Sequence, residues 1–139
     1  MTHSNPHPIV VDTDVLSFSF KEDTRADFYR PYLSGHQVII SFMTVAELGF
    51  WAHVHGWGAT RREQLRRFLQ PFTIIDSNEE LCEWWSVICA GARRLGRPIS
   101  APDAWIAATA LQFSVPLVTH NPSDFSNVPG LDIRTASRP

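Results

Sequence analysis

The strongest constraint on the fold is a set of short apolar runs that do not alternate. Pro8-Ile-Val-Val-Asp12, Gln37-Val-Ile-Ile-Ser41 and Phe72-Thr-Ile-Ile-Asp76 carry apolar side chains on consecutive residues, and Pro116-Leu-Val-Thr119 repeats the pattern. A strand buried on one face alternates apolar and polar residues, whereas a strand covered on both faces does not. Helical spacing fills the intervals: residues 25–34, Thr44 to Trp57, Thr60 to Leu69, 78–95, and Pro102 to Gln112. In the fourth of these, Leu81, Trp84, Trp85, Ile88 and Ala92 fall near a 3.6-residue period, and Gly96 and Pro98 close it. Helices between doubly buried strands mean a parallel sheet with helices on both faces. The expected fold is a three-layer α/β/α sandwich. Its central parallel sheet has four to five strands, with Leu131-Asp-Ile-Arg134 the fifth, at an edge.

A chain of 139 residues suits one domain, 1–139, of which the polar stretch 1–8 reads as a frayed leader. A net charge of −2 gives no bulk attraction to nucleic acid, so any such binding must come from local charge placement. Lys21 is the only lysine and the other eleven basic residues are arginines. Arginine suits forked contacts to phosphate or carboxylate, and a GC-rich coding sequence gives the same bias. Cys82 and Cys89 sit seven residues apart in a helical pattern. A rise of about 1.5 Å per residue separates them by roughly 10 Å, too far for a disulfide. They read as buried thiols of a reducing cytoplasm. No run is long enough to span a membrane, and residues 1–8 lack the apolar core of a signal peptide.

Sites in parallel α/β sheets form at the carboxyl ends of the strands. Asp12 closes the first strand, Glu47 lies one turn into the helix after the second, and Asn121 and Asp124 follow the fourth. Asp103 opens a helix that runs antiparallel to the strands, so it starts at the same edge. Carboxylates gathered on one edge repel unless a cation is shared. Oxygen-only donors select a hard ion, Mg²⁺ or Mn²⁺. Each residue also has a plain structural role available. Thr44-Val-Ala-Glu47 fits a capping box. Asp103 after Pro102 suits a first helical turn. Asn121-Pro-Ser-Asp124 fits an N-cap with an acid at the third helical position. Asp12 has no comparable structural explanation, since an acid closing an apolar strand gains little. Ala107 and Ala110, on the face of Asp103, let that helix approach the sheet.

These residues carry a resemblance to PIN-domain nucleases. The matching stretches are Val11-Asp-Thr-Asp-Val-Leu-Ser17, Ile40-Ser-Phe-Met-Thr-Val-Ala-Glu-Leu48, Ala101-Pro-Asp-Ala-Trp-Ile-Ala-Ala-Thr-Ala110 and Leu117-Val-Thr-His-Asn-Pro-Ser-Asp-Phe125. Their order and spacing match from about residue 9 to 134. Within that family the chain is most similar to the VapC toxins of toxin–antitoxin pairs. The resemblance implies a cytoplasmic, dimeric ribonuclease that uses Mg²⁺ or Mn²⁺ and is silenced by a cognate antitoxin. It makes Asp12 the first metal ligand, Glu47 the second acid and Asp103 the third. The fourth position is open, because Asn121 stands where some relatives have aspartate and Asp124 can supply the charge instead. Asp14 replaces a more usual asparagine, with a turn role or a ligand role. Thr13, Thr44 and Thr119 are candidates for orienting ligands or water, or for capping. The implied chemistry is metal-activated water attacking an RNA phosphodiester in line, with no side-chain nucleophile.

Two other function classes stay in view. Asp12-Thr-Asp14 after an apolar strand also resembles aspartate-nucleophile phosphatases, but such chemistry needs a lysine near the phosphate and acids beyond the threonine strand, whereas the only lysine, Lys21, lies just past the first motif. A non-catalytic α/β binding module, whose acids only cap helices, would take up no Mn²⁺. A zinc site is weakly supported: His53 and His55 point two ways on a helix, and the cysteines are not paired for metal. His120, beside Asn121, reads as an exposed loop residue, with a place facing the site as the alternative. Arg61, Arg62, Arg66 and Arg67 suit RNA phosphates, an antitoxin or plain solvent. Trp51, Trp57, Trp84 and Trp85 read as core or dimer interface.

Overall fold

The structure is a computed structural model and describes residues 7–137. Five strands, β1 (Pro8–Val11), β2 (Gln37–Ser41), β3 (Thr73–Ile75), β4 (Leu117–Val118) and β5 (Ile133–Arg134), form one parallel sheet in the order β3-β2-β1-β4-β5. Six α-helices join them: α1 (Thr13–Phe20), α2 (Ala26–Leu33), α3 (Phe42–Val54), α4 (Ala59–Leu69), α5 (Glu79–Arg94) and α6 (Ala101–Phe113). The expected sandwich is therefore present, with its fifth strand at an edge. Ile9 and Val11 bury against Leu16, Tyr29, Leu48 and Leu65 on one face of the sheet. Val10, between them, buries against Leu81, Ile88, Ala107 and Leu117 on the other. Each such side chain contributes roughly 1.5–3 kcal/mol, and this two-sided burial is why β1 does not alternate, whereas β3, expected to be buried as well, lies at the sheet edge and leaves Thr73 and Ile74 exposed. On α6, Ala104, Ala107, Ala108 and Ala110 are fully buried, so the helix lies close on the sheet.

Several expectations need correction. Helix α1 was not foreseen, because Thr13-Asp-Val-Leu-Ser-Phe-Ser-Phe20 mixes β-branched, aromatic and hydroxyl residues of modest helix propensity. Burial of Val15, Leu16, Phe18 and Phe20 overrides that propensity. Asp12 consequently has a structural role after all: it is the N-cap of α1. Helix α3 begins at Phe42 rather than Thr44. Ser41 caps it, its Oγ accepting from the Met43 N–H at 3.0 Å, so Glu47 belongs to no capping box. Asn121 does precede a helical turn, but that turn is the four-residue 3-10 segment Pro122–Phe125, and the Asn121 side chain does not cap it. Cys82 is exposed and Cys89 only partly buried, since α5 turns one face to solvent. The leader expectation lies outside the described residues up to residue 6. Pro8 opens β1, and the His7 carbonyl accepts from the Gln37 N–H at 3.3 Å. Among the described residues, no helix is long and apolar enough to cross a membrane.

Candidate active site

Strand β1 lies between β2 and β4, so the chain leaves it toward one side and later returns on the other. Such a switch point opens a crevice at the carboxyl ends of the strands. Asp12 sits there directly after β1, and its N–H donates to the Val118 carbonyl of β4 at 2.9 Å. Both carboxylate oxygens of Asp12 are held. Oδ1 accepts from the Thr13 N–H at 2.8 Å and Oδ2 from the Thr119 hydroxyl at 2.7 Å. The Thr13 hydroxyl donates to Glu47 Oε1 at 2.8 Å and lies 3.0 Å from Thr44 Oγ1. Helix α3 thereby meets α1 through a threonine pair, with Glu47 one turn into the helix.

Asp14 is the most heavily bonded acid of the set. Its Oδ1 accepts from the Val15 N–H at 2.7 Å. Its Oδ2 accepts from the His120 N–H at 3.2 Å and the Asn121 side-chain amide at 2.8 Å. Asp103 occupies the first turn of α6, where its N–H donates to the Ser100 hydroxyl at 3.2 Å. Asp103 and Asp124 line a common cavity of about 170 Å³, with Arg97 at its wall. Asp12, Asp14, Glu47 and Asp103 therefore gather at the crevice. Asp124 reaches it only from the Asp103 side, and Asn121 enters as the partner of Asp14.

Burial, and then neighbouring charge, oppose ionisation of the acids at this site. Burial first, then the Asp14 charge, push the Asp12 carboxyl from 3.8 up to about 8, against the bonds from Thr119 and Thr13. Burial likewise raises Asp14, although hydrogen bonds from Val15 and His120 oppose it. Glu47 is raised by burial and by the charges of Asp103 and Asp14, with the Thr13 hydroxyl opposing. Asp103 is raised by burial and by the charges of Asp124 and Asp14. Asp14 thus acts on three other acids, and Asp124 on one. Among the described residues, no three acidic, histidine or cysteine side chains stand close enough together to hold a metal ion between them. Mg²⁺ needs no closed cage, since it keeps several waters and takes one or two protein carboxylates. An all-oxygen donor set that resists ionisation fits a hard divalent cation.

The PIN domain family matches residues 9–131. The chain belongs to the PIN-domain family. Among PIN-domain proteins it is similar to ribonuclease VapC1 of Haemophilus influenzae, at 28% identity over 128 residues, covering 88% of this chain and 92% of the relative. It also resembles the solved FitAcB structure from Neisseria gonorrhoeae, with a TM-score of 0.77 and 25% identity, covering 92% of this chain and 97% of that one. VapBC2 of Rickettsia felis, solved with a fragment of its promoter DNA, has the same PIN fold at a TM-score of 0.81 and 20% identity, covering 92% of this chain and 98% of that one.

Two features of this PIN-domain site emerge only from the fold. His120 is no free loop residue: its Nδ1 lies 2.6 Å from the Tyr29 hydroxyl, and its ring meets Phe18 edge-on at 5.1 Å. The signal was its place directly after the strand-end Thr119. The sequence leaves Asp14 a turn role or a ligand role, and two of its three hydrogen-bond donors come from the loop after β4. Only the fold brings those two loops together.

Proposed function

We propose that this chain is a divalent-metal-dependent endoribonuclease that acts as the toxin of a toxin–antitoxin pair, built on one PIN-like domain. The observation that carries this is the burial of Asp12, Asp14, Glu47 and Asp103 together at the crevice of the sheet, which raises all four carboxyls, with the charges of Asp14 and Asp103 adding to it. A relative named as a ribonuclease and a structural neighbour named as a toxin–antitoxin complex, from Klebsiella pneumoniae, support the substrate and the partner. We assign Asp12, Glu47, Asp103 and Asp124 as the acids that take Mg²⁺ or Mn²⁺, with Asp14 as a central fifth charge. When bound, the ion supplies a water of lowered pKa and neutralises the leaving oxygen of an RNA phosphodiester.

The chain's own residues do the positioning. Thr119 and the Thr13 backbone fix both oxygens of Asp12, so the acid presents a set direction to the crevice. The Thr13 hydroxyl orients Glu47, and the Asn121 amide and His120 N–H orient Asp14. A carboxyl held near 8 keeps its proton at neutral pH, and cation binding would expel it. A cytoplasmic homodimer, a cognate antitoxin and an RNA substrate complete the reading. Lys21 does not favour a phosphatase, because its ammonium lies 6.0 Å from the Trp51 ring rather than beside the acids. The test is Asp103→Asn, which keeps the Ser100 cap and removes one charge. It should abolish most RNA cleavage while the protein stays folded. A folded Asp103→Asn protein that cuts RNA like the wild type would sink the assignment.

A further inference from the structure

We propose that an open groove beside the acidic cluster, between α2 and the C-terminal segment, seats one unpaired nucleobase of the RNA being cut; this rests on the ribonuclease reading. The groove has a volume of about 790 Å³ and is lined by Arg25, Phe28, Tyr32, His120, Thr135 and Ser137. His120 joins it to the site. Its backbone N–H bonds Asp14, the next residue bonds the same carboxylate, and its ring forms the groove wall. A strand whose phosphate lies at the acids therefore has this groove as its immediate neighbour.

The lining has the chemistry of a base platform. Phe28 is 61% exposed, whereas the adjacent Tyr29 is fully buried, so the phenyl ring packs no core. The Arg25 guanidinium lies 4.1 Å over the Phe18 ring and is paired with Asp23 at 2.8 Å. Its charge is compensated, which suits stacking better than capture of a phosphate. Unpaired RNA bases stack on aromatic rings and guanidinium planes, and hydroxyls meet their edges. Thr135 and Ser137 bring such hydroxyls to the rim. The His120 ring is fixed by Tyr29 and Phe18, so the wall is set before any base arrives.

The experiment uses single-stranded RNA hexamers carrying a fluorescent purine analogue, titrated with the full chain in Mg²⁺. Asp103→Asn serves as the background, so that the RNA survives. Adding Phe28→Ala should weaken binding by about fivefold or more and relieve the fluorescence quenching, the range expected for one lost base stack. Phe28→Trp should restore both. Mn²⁺ affinity by calorimetry and melting temperature should not move. With Asp103 intact, Phe28→Ala should raise KM more than it lowers kcat. RNA binding unchanged by Phe28→Ala overturns the groove assignment and leaves the acidic site standing. So does a loss confined to binding of a protein partner. Wild-type-level cleavage by Asp103→Asn itself overturns the acid-site reading, whatever the quenching shows.

Discussion

At the scale of single residues, the site is a problem of charge held in place. Asp14 raises three other acids, whereas Asp124 is exposed and raises only Asp103. An isosteric loss of charge at the two positions should therefore differ. Asp14→Asn is expected to weaken Mn²⁺ binding more than Asp124→Asn, by roughly tenfold if one extra unit of charge coupling is lost. Calorimetric titration of both variants checks this; equal affinities would return Asp14 to a turn role. Most of these acids were legible in sequence, since Asp12, Glu47, Asp103 and Asp124 follow strand ends or open helices. The ranking among them was not. It depends on which loop touches which, and the contact between Asn121 and Asp14 spans 107 positions.

At the scale of elements, the helices with strong caps or long periodic faces were legible, and α1 was not. Its eight residues lack a recognisable propensity, and tertiary burial together with the Asp12 cap makes them helical. Boundaries elsewhere followed the caps. Asn78 caps α5, its Oδ1 accepting from the Leu81 N–H at 2.9 Å, and also takes the Gln112 side-chain amide of α6 at 2.9 Å. Removing it should loosen the two helices together. Asn78→Ala is expected to cost about 1–2 kcal/mol of stability, the usual value of a strong cap. Denaturant unfolding measures that loss, while Mn²⁺ affinity stays at the wild-type value. A variant as stable as the wild type would show that the cap is redundant.

At the scale of the whole molecule, two further outcomes follow. The first concerns pH. Asp12, Asp14, Glu47 and Asp103 are all raised in the folded chain. Below about 4 a carboxyl is neutral in both states. Between there and about 8 the folded Asp12 keeps a proton that the unfolded chain releases. Stability of the metal-free protein should therefore fall as pH rises through that window, by up to about 1.4 kcal/mol per pH unit for each retained proton. Melting curves in a chelator should show the decline, and Mn²⁺ should flatten it. A metal-free protein that gains stability between about pH 5 and pH 8 would contradict the buried-charge account. The second outcome concerns association. On α3, Phe50 is 62% exposed and Val54 56%, with Trp51 beside them. Such an apolar face commonly marks an interface. Light scattering at micromolar concentration should give a dimer, and a clean monomer near 15.7 kDa would refute it.

The hydrogen bond between Asn121 and Asp14 also bears on how such a site can drift. The family resemblance places an amide at position 14 and, in some relatives, a carboxylate at position 121, and this chain holds the reverse. Because the two side chains share one hydrogen bond, either arrangement leaves one negative charge at the same spot. A lineage passing from one to the other by single changes must cross an intermediate with two acids or two amides. The former adds a repulsion to an overcharged crevice, and the latter removes a charge that the cation needs. Each single change from one arrangement toward the other therefore alters the charge at that spot by one unit, and only the paired exchange conserves it.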